Sequence, residues 1–98
     1  MYLKFEWDAK KAKANLHKHK VSFLEACYIF ADKYLLTVFD EEHSVHEERW
    51  ITMGQSINGK ILLVVHTYRG TSDTELIRIV SAREATHKEE RQYLERRG

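Results

Sequence analysis

Ile77-Arg78-Ile79-Val80-Ser81-Ala82-Arg83 is the stretch whose reading decides the fold. With Leu76 before it, apolar residues stand at 76, 77, 79 and 80, the pattern of a strand covered on both faces. One arginine sits in mid-run. A buried guanidinium without a partner is expensive, so Arg78 has to meet a carboxylate or an anionic ligand. Ser81-x-x-Glu84 spells a capping box, so the strand is expected to stop at Val80 and a helix to open at once. Arg78 and Arg83 would then flank a strand end and a helix N-terminus, a setting suited to phosphate.

Upstream, Lys60 to Arg69 reads as a strand, and its fully apolar part, Ile61 to Val65, marks it as central. Asn58-Gly59 signals a two-residue type I′ hairpin, preceded by a strand from Arg49 to Ser56. Gly70 to Asp73 reads as a turn, Asp40 to Glu47 as a charged loop, and Tyr34 to Phe39 as a β-branched and aromatic strand. Tyr2 to Trp7 alternates as a first strand. Asp8 is a good N-cap for a lysine-rich helix from Ala9 to His19, with a thin stripe of Ala9, Ala12 and Leu16. Ser22-x-x-Glu25 is a second capping box, with Val21 and Ala26 as staple partners. That helix runs to about Phe30, with Phe23, Leu24, Ala26, Cys27 and Phe30 inward. A charged helix to about Arg96 ends the chain, with Tyr93 and Leu94 packing back. The order is β-α-α-β-β-β-β-α: an α+β fold in which helices pack an antiparallel sheet.

At 98 residues, 43% of them hydrophobic, the chain can build one core, and residues 1–98 are expected to form a single domain. Lys+Arg 16 against Asp+Glu 15 gives a net charge of +1, so any anion-binding surface must come from local clustering. The lone Cys27 excludes an internal disulfide and fits a buried, inert thiol. No apolar run approaches the ~20 residues of a membrane span, and no signal peptide pattern is present. A cytoplasmic protein is expected.

A two-residue turn at Asn58-Gly59 sets Ile57 against Lys60, hence His66 against Ile51 and Tyr68 against Arg49. Matching apolar faces across the next turn set His66 against Arg78 and Val64 against Val80. Period-two alternation then gathers Arg49, His66, Tyr68 and Arg78 on one face. Trp50, Leu63, Val65, Ile77 and Ile79 take the other, beneath the first two helices. Such a patch could hold phosphate through the arginines, stack a base on Tyr68 and transfer a proton through His66. Each residue has a plainer reading. Arg78 could pair with a helix carboxylate, Arg49 with Glu47 or Glu75, and Tyr68 could be half-buried packing. Lys18 and His19, with His17 and Lys20, could be a basic helix end that complements the dipole. His43 and His46 have helical spacing but no specified third ligand, so they read as a solvated loop and not a metal site.

Phe5-Glu6-Trp7-Asp8, Asn15-Leu16, Lys18-His19, Val21-x-Phe23 and Ala26 resemble the N-terminal half of the BrnT toxin family. Glu48-Arg49, Gly54, the strand from Ile61, and Ile77 to Arg83 with Ala85, Glu90 and Tyr93 resemble its C-terminal half. The Arg-Ile-Val-Ser-Ala-Arg run is the most specific part. The resemblance implies a RelE-like fold and a ribonuclease toxin of a type II toxin–antitoxin pair, metal-independent and without cofactor, that arrests translation. It implies Arg49, Arg78 and Arg83 as catalytic candidates, with Lys18 and His19 as RNA contacts; the shared face adds His66 to the catalytic candidates and Tyr68 to the RNA contacts. It also implies a BrnA-like antitoxin in a 2:2 heterotetramer, with operator DNA bound only through that partner. Lys20 stands where the family usually has Gly. The alternative is a non-catalytic module of the same fold that binds an antitoxin or nucleic acid; growth arrest on expression separates the two. A small metal hydrolase is disfavoured, since no ligand triad of known spacing is present.

Overall fold

A computed structural model describes residues 2–70 and 74–98. The chain runs β1 (Tyr2–Glu6), α1 (Ala9–His19), α2 (Phe23–Cys27) continued by a 3-10 turn (Tyr28–Ala31), β2 (Leu36–Phe39), β3 (Trp50–Gln55), β4 (Ile61–Gly70), β5 (Thr74–Glu84) and α3 (His87–Arg97). This is the expected α+β order. The expected turn at Gly70–Asp73 lies, for residues 71–73, outside the described residues. The strands lie β1-β5-β4-β3-β2, so the apolar β4 is the middle strand of five. Strands β2 to β5 pair antiparallel, while β1 adds to the far edge parallel to β5. The sheet is therefore mixed and not wholly antiparallel: no hairpin joins β1 to its partner, so no tight turn dictates its direction.

Local capping signals act where expected at the first two helices. Asp8 Oδ2 accepts from Lys11 N–H at 3.0 Å, and Ser22 Oγ from Glu25 N–H at 3.0 Å. The Glu25 carboxylate, however, accepts from Asn58 Nδ2 at 2.7 Å, tying α2 to the β3–β4 turn. At β5 the capping signal misleads. Ser81-x-x-Glu84 starts no helix: the long β4 offers ladder partners as far as Leu62↔Glu84, and β5 follows them. The working capping box is Thr86 with Glu89, where Thr86 Oγ1 accepts from Glu89 N–H at 3.2 Å and Glu89 Oε1 from Thr86 N–H at 2.8 Å.

Two registers differ from expectation. Gln55 pairs with Ile61, and Ser56 N–H donates to Lys60 O at 2.8 Å. The loop is then Ile57-Asn58-Gly59, with Gly59 at φ 86, the three-residue form that ends in a left-handed residue. Between β4 and β5, Thr67 and not His66 faces Arg78. A register shift follows, from His66↔Ile79 to Val65↔Ser81, so Val80 is the extra residue of a bulge. Without the bulge, odd and even residues of β5 would keep to their own faces. With it, Ile77, Ile79 and Ala82 all point into the helix layer (2%, 1% and 1% exposed). Arg78 and Arg83 share the opposite face. Thus β5 is covered on one face only, contrary to its apolar run.

The core packs Val21, Phe23, Ala26 and Ile29 against Leu62, Val64, Ile77, Ile79 and Ala82. Leu16 and Leu24, expected inward, are exposed; Ile29 takes the inward place. Asn15 is the buried polar member of α1. Its Nδ2 donates to Ala82 O at 2.8 Å and Val21 O at 3.0 Å, and its Oδ1 accepts from Ala82 N–H at 3.1 Å. It finishes the β5 edge beyond the reach of β1, at the bulge. Helix α3 packs on the other side of the sheet, where buried Tyr93 joins Met53 and Ile61 while Leu94 stays exposed. Tyr93 donates its hydroxyl to Asp32, which also accepts from Gln55 N–H and Tyr34 N–H.

Candidate functional site

Helices α1 and α2 cover one face of the sheet; the other is open except under α3. On the open face Glu6 pairs with Arg78, and Arg78 with Thr67. One step beyond Trp50↔His66, the same ladder sets Arg49 against Thr67. A row of Arg49, Thr67, Arg78 and Glu6 therefore crosses four strands. Arg49 and Arg78 share a face as expected. Their ion pairs are long: Arg78 Nη1 to Glu6 Oε1 is 3.4 Å, and Arg49 Nε to Glu47 Oε1 is 3.7 Å. The partner of Arg78 is a strand carboxylate, not a helix one. Arg49 Nε and Thr67 Oγ1 are both buried and make no hydrogen bond. Leaving such a group unpaired costs about 1–3 kcal/mol.

Along the strands a cleft of about 320 Å³ has an apolar floor of Ile51, Leu63 and Val65, with Arg49 and Arg83 on its walls. Arg83 belongs to β5 and not to a helix, and it grips α3: Nη1 and Nη2 donate to the two Glu89 oxygens at 2.8 and 2.9 Å. The guanidinium holds the Glu89 carboxyl down at about 2, and Glu89 raises Arg83 in return. Much of the Arg83 charge is thus already matched. At the cleft edge stands His43, which its sequence setting alone assigns to a solvated loop. Its Nδ1 lies 2.9 Å from Asp40 Oδ2. Pairing His43 with His46 hid this; the Asp40-x-x-His43 spacing was the available signal. Among the described residues no three of His, Cys, Asp and Glu gather where they could hold a metal.

His66 is not on this face. The slip in both β4 ladders turns β4 over, so His66 lies in the helix layer, 0% exposed. Its Nε2 hydrogen-bonds with Thr52 Oγ1 at 2.7 Å, and its ring meets Phe30 and Tyr68 edge-on at 5.0 Å each. Burial pushes the imidazole down to about 4, so it is neutral near pH 7. Leu63 and Val65 flip the other way, onto the open face. Tyr68 also points to the helix side but projects past the helices. It is 40% exposed and stacks edge-on to Trp50 at 5.7 Å; burial, then the Glu75 charge, raises its phenol. Lys18 and His19 close α1 across the sheet from Arg49 and Arg78. Lys20 takes the left-handed conformation at φ 61, and its N–H donates to Leu16 O at 2.9 Å, so the helix stops as a glycine there would stop it. Cys27 is half-buried, its thiol donating to Phe23 O at 3.2 Å, and burial raises it to about 11. No described helix is long and apolar enough to cross a membrane.

A family profile described as "Ribonuclease toxin, BrnT, of type II toxin-antitoxin system" matches residues 7–89. Among solved structures, the fold is similar to the crystal structure of the Brucella abortus ribonuclease toxin BrnT. The TM-score is 0.65 at 18% identity, and the match covers 89% of this chain and 100% of that one. No curated protein matches the chain.

Proposed function

The chain belongs to the BrnT family of ribonuclease toxins of type II toxin–antitoxin systems, and from that premise we propose that it is a metal-independent endoribonuclease. It drives a ribose 2′-OH onto the adjacent phosphate, leaving 2′,3′-cyclic phosphate and 5′-hydroxyl ends, and so arrests translation in the cytoplasm. The observation that carries this reading is the Arg49–Thr67–Arg78 row, whose buried Arg49 Nε and Thr67 Oγ1 make no hydrogen bond. Guanidinium and hydroxyl donors in a shielded row suit a phosphate, and they can offset the charge that develops at phosphorus. Arg49 and Thr67 hold the phosphate, and Arg78 stabilises the transition state. Arg83 borders the path of the strand. Tyr68, exposed at the β4 end, offers a ring to a flanking base. Lys18 and His19, across the sheet, add positive potential and no contact at the cut. His66 has no role in the chemistry on this reading. The silencer is a BrnA-like antitoxin in a 2:2 complex dimerised through the antitoxin, and operator DNA is bound only by that partner.

Expression with and without the antitoxin, beside an RNase assay in excess EDTA, tests the proposal. Growth arrest and cleavage that survives chelation are expected. Arg49→Ala or Arg78→Ala should fold and lose roughly 10²–10³ in rate. Activity that vanishes in EDTA and returns with Mg²⁺ would refute metal independence. A folded Arg78→Ala protein of full toxicity would refute the site. No arrest and no cleavage by the wild type would leave a binding module of the same fold.

A further inference from the structure

We propose that Asp40 and His43 are the proton-transfer pair of this site, with His43 Nε2 taking the proton from the attacking 2′-OH; the proposal rests on the ribonuclease reading above. His43 is 64% exposed, while Asp40, its partner, is only 11% exposed. His43 Nδ1 lies 2.9 and 3.1 Å from the two Asp40 oxygens. A carboxylate there fixes the tautomer with its proton on Nδ1, which leaves Nε2 as a free acceptor. The turn that carries the pair is stitched to the phosphate row. Asp40 N–H donates to Arg49 O at 2.9 Å, Ser44 Oγ donates to Asp40 O, and Arg49 N–H donates to Ser44 Oγ at 2.9 Å. His43 and Arg49 together line two adjoining clefts of about 320 and 410 Å³. A base, the group that orients it and a guanidinium whose buried Nε makes no hydrogen bond therefore meet at one place. That is the arrangement by which an adjacent base activates a hydroxyl nucleophile.

In the step itself, Nε2 takes the 2′-hydroxyl proton as the O2′–P bond forms. The P–O5′ bond breaks, the 5′ oxygen takes a proton from solvent, and the imidazolium returns its proton to water. Nothing is oxidised or reduced. The charged and titratable groups that face His43 are Asp40, Glu42, His46, Glu47, Arg49 and Arg83. The plain alternative is a solvated turn in which the Asp–His contact only shapes the loop.

The deciding experiment measures single-turnover cleavage by the full chain over a pH series, on free RNA and on message bound to ribosomes. Wild type should show an ascending acid limb. His43→Ala should lose about 10²–10⁴ in rate and lose that limb, and added imidazole should restore part of both. His43→Gln should behave alike without rescue, and Asp40→Asn should lower kcat more than it changes KM. Melting curves matched to wild type certify the fold of each variant; His43→Gln serves if the alanine variant does not fold. A wild type that cleaves while the folded His43 variants keep its rate and acid limb overturns the pair and leaves the ribonuclease reading intact. A wild type that cleaves neither substrate overturns the ribonuclease reading, and the proton-transfer pair with it.

Discussion

Burial fixes what His66 can do. Enclosed by Phe30, Tyr68 and Thr52, its imidazole is pushed from 6.5 to about 4 by desolvation, which the Thr67 backbone opposes only in part. The unfolded chain binds that proton near pH 6.5 and the folded chain only near pH 4. Its contribution to stability is therefore full above about 6.5 and is lost as pH falls toward 4. At ~1.36 kcal/mol per unit the loss is on the order of 3 kcal/mol. Denaturant melts of wild type and His66→Gln across that range should converge or cross as pH falls, because only wild type carries this proton. A constant stability difference between the two would reject the account. The same residue shows where the sequence stopped being legible. The face of Arg49 and Arg78 came out right, yet every residue of β4 came out reversed. One slipped rung at each β4 ladder accounts for both: the slips cancel between β3 and β5 and leave β4 turned over. A side-chain period of two gives no protection against a one-residue slip. The β3–β4 slip lay in reading Asn58-Gly59 as a two-residue turn when the loop has three, and the β4–β5 slip in setting the register by matching apolar faces.

At the scale of elements, the first two helix starts were legible because caps are local: Asp8 and Ser22 each bond within three residues. The end of β5 was not, because Ser81-x-x-Glu84 and Thr86-x-x-Glu89 look alike in sequence and only the β4 ladder chooses between them. The bulge at Val80 was equally hidden. Just past it, where β1 no longer reaches, Asn15 closes the β5 edge: its amide satisfies both polar groups of Ala82 from 67 residues away. A buried backbone pair without partners costs about 1–3 kcal/mol per group. Asn15→Ala should thus destabilise by about 2–5 kcal/mol, or many degrees of melting temperature in so small a domain. Asn15→Leu restores volume but no hydrogen bond, so it should stay destabilised. Recovery of wild-type melting by leucine would show that packing, not the amide clamp, holds this edge.

Across the whole molecule the charges nearly cancel, at +1, so no global field draws a partner. Any electrostatic attraction has to be local. Arg49, Arg69 and Arg78 stand on the open face, and their carboxylate partners lie at 3.4 to 4.0 Å. Beside them runs an apolar cleft of about 240 Å³ formed by Leu36, Val38, Ile51, Met53 and Leu63 under α3. An antitoxin that silences the toxin by occlusion has to lie across this face and offer acidic side chains to the arginine row. Association should then be fast and fall as salt rises, since exposed charges are screened beyond ~8–10 Å at ordinary ionic strength. Arg49→Glu with Arg78→Glu should strongly weaken co-purification and flatten the salt dependence of the association rate. The competing arrangement is an antitoxin that grips only α1 and α2 and inhibits through the sheet. Under it, the double reversal abolishes toxicity but leaves binding and its salt dependence untouched. Measuring both quantities on one folded variant decides between the two, because on the proposed reading the arginines serve cleavage in either case and antitoxin recognition in only one.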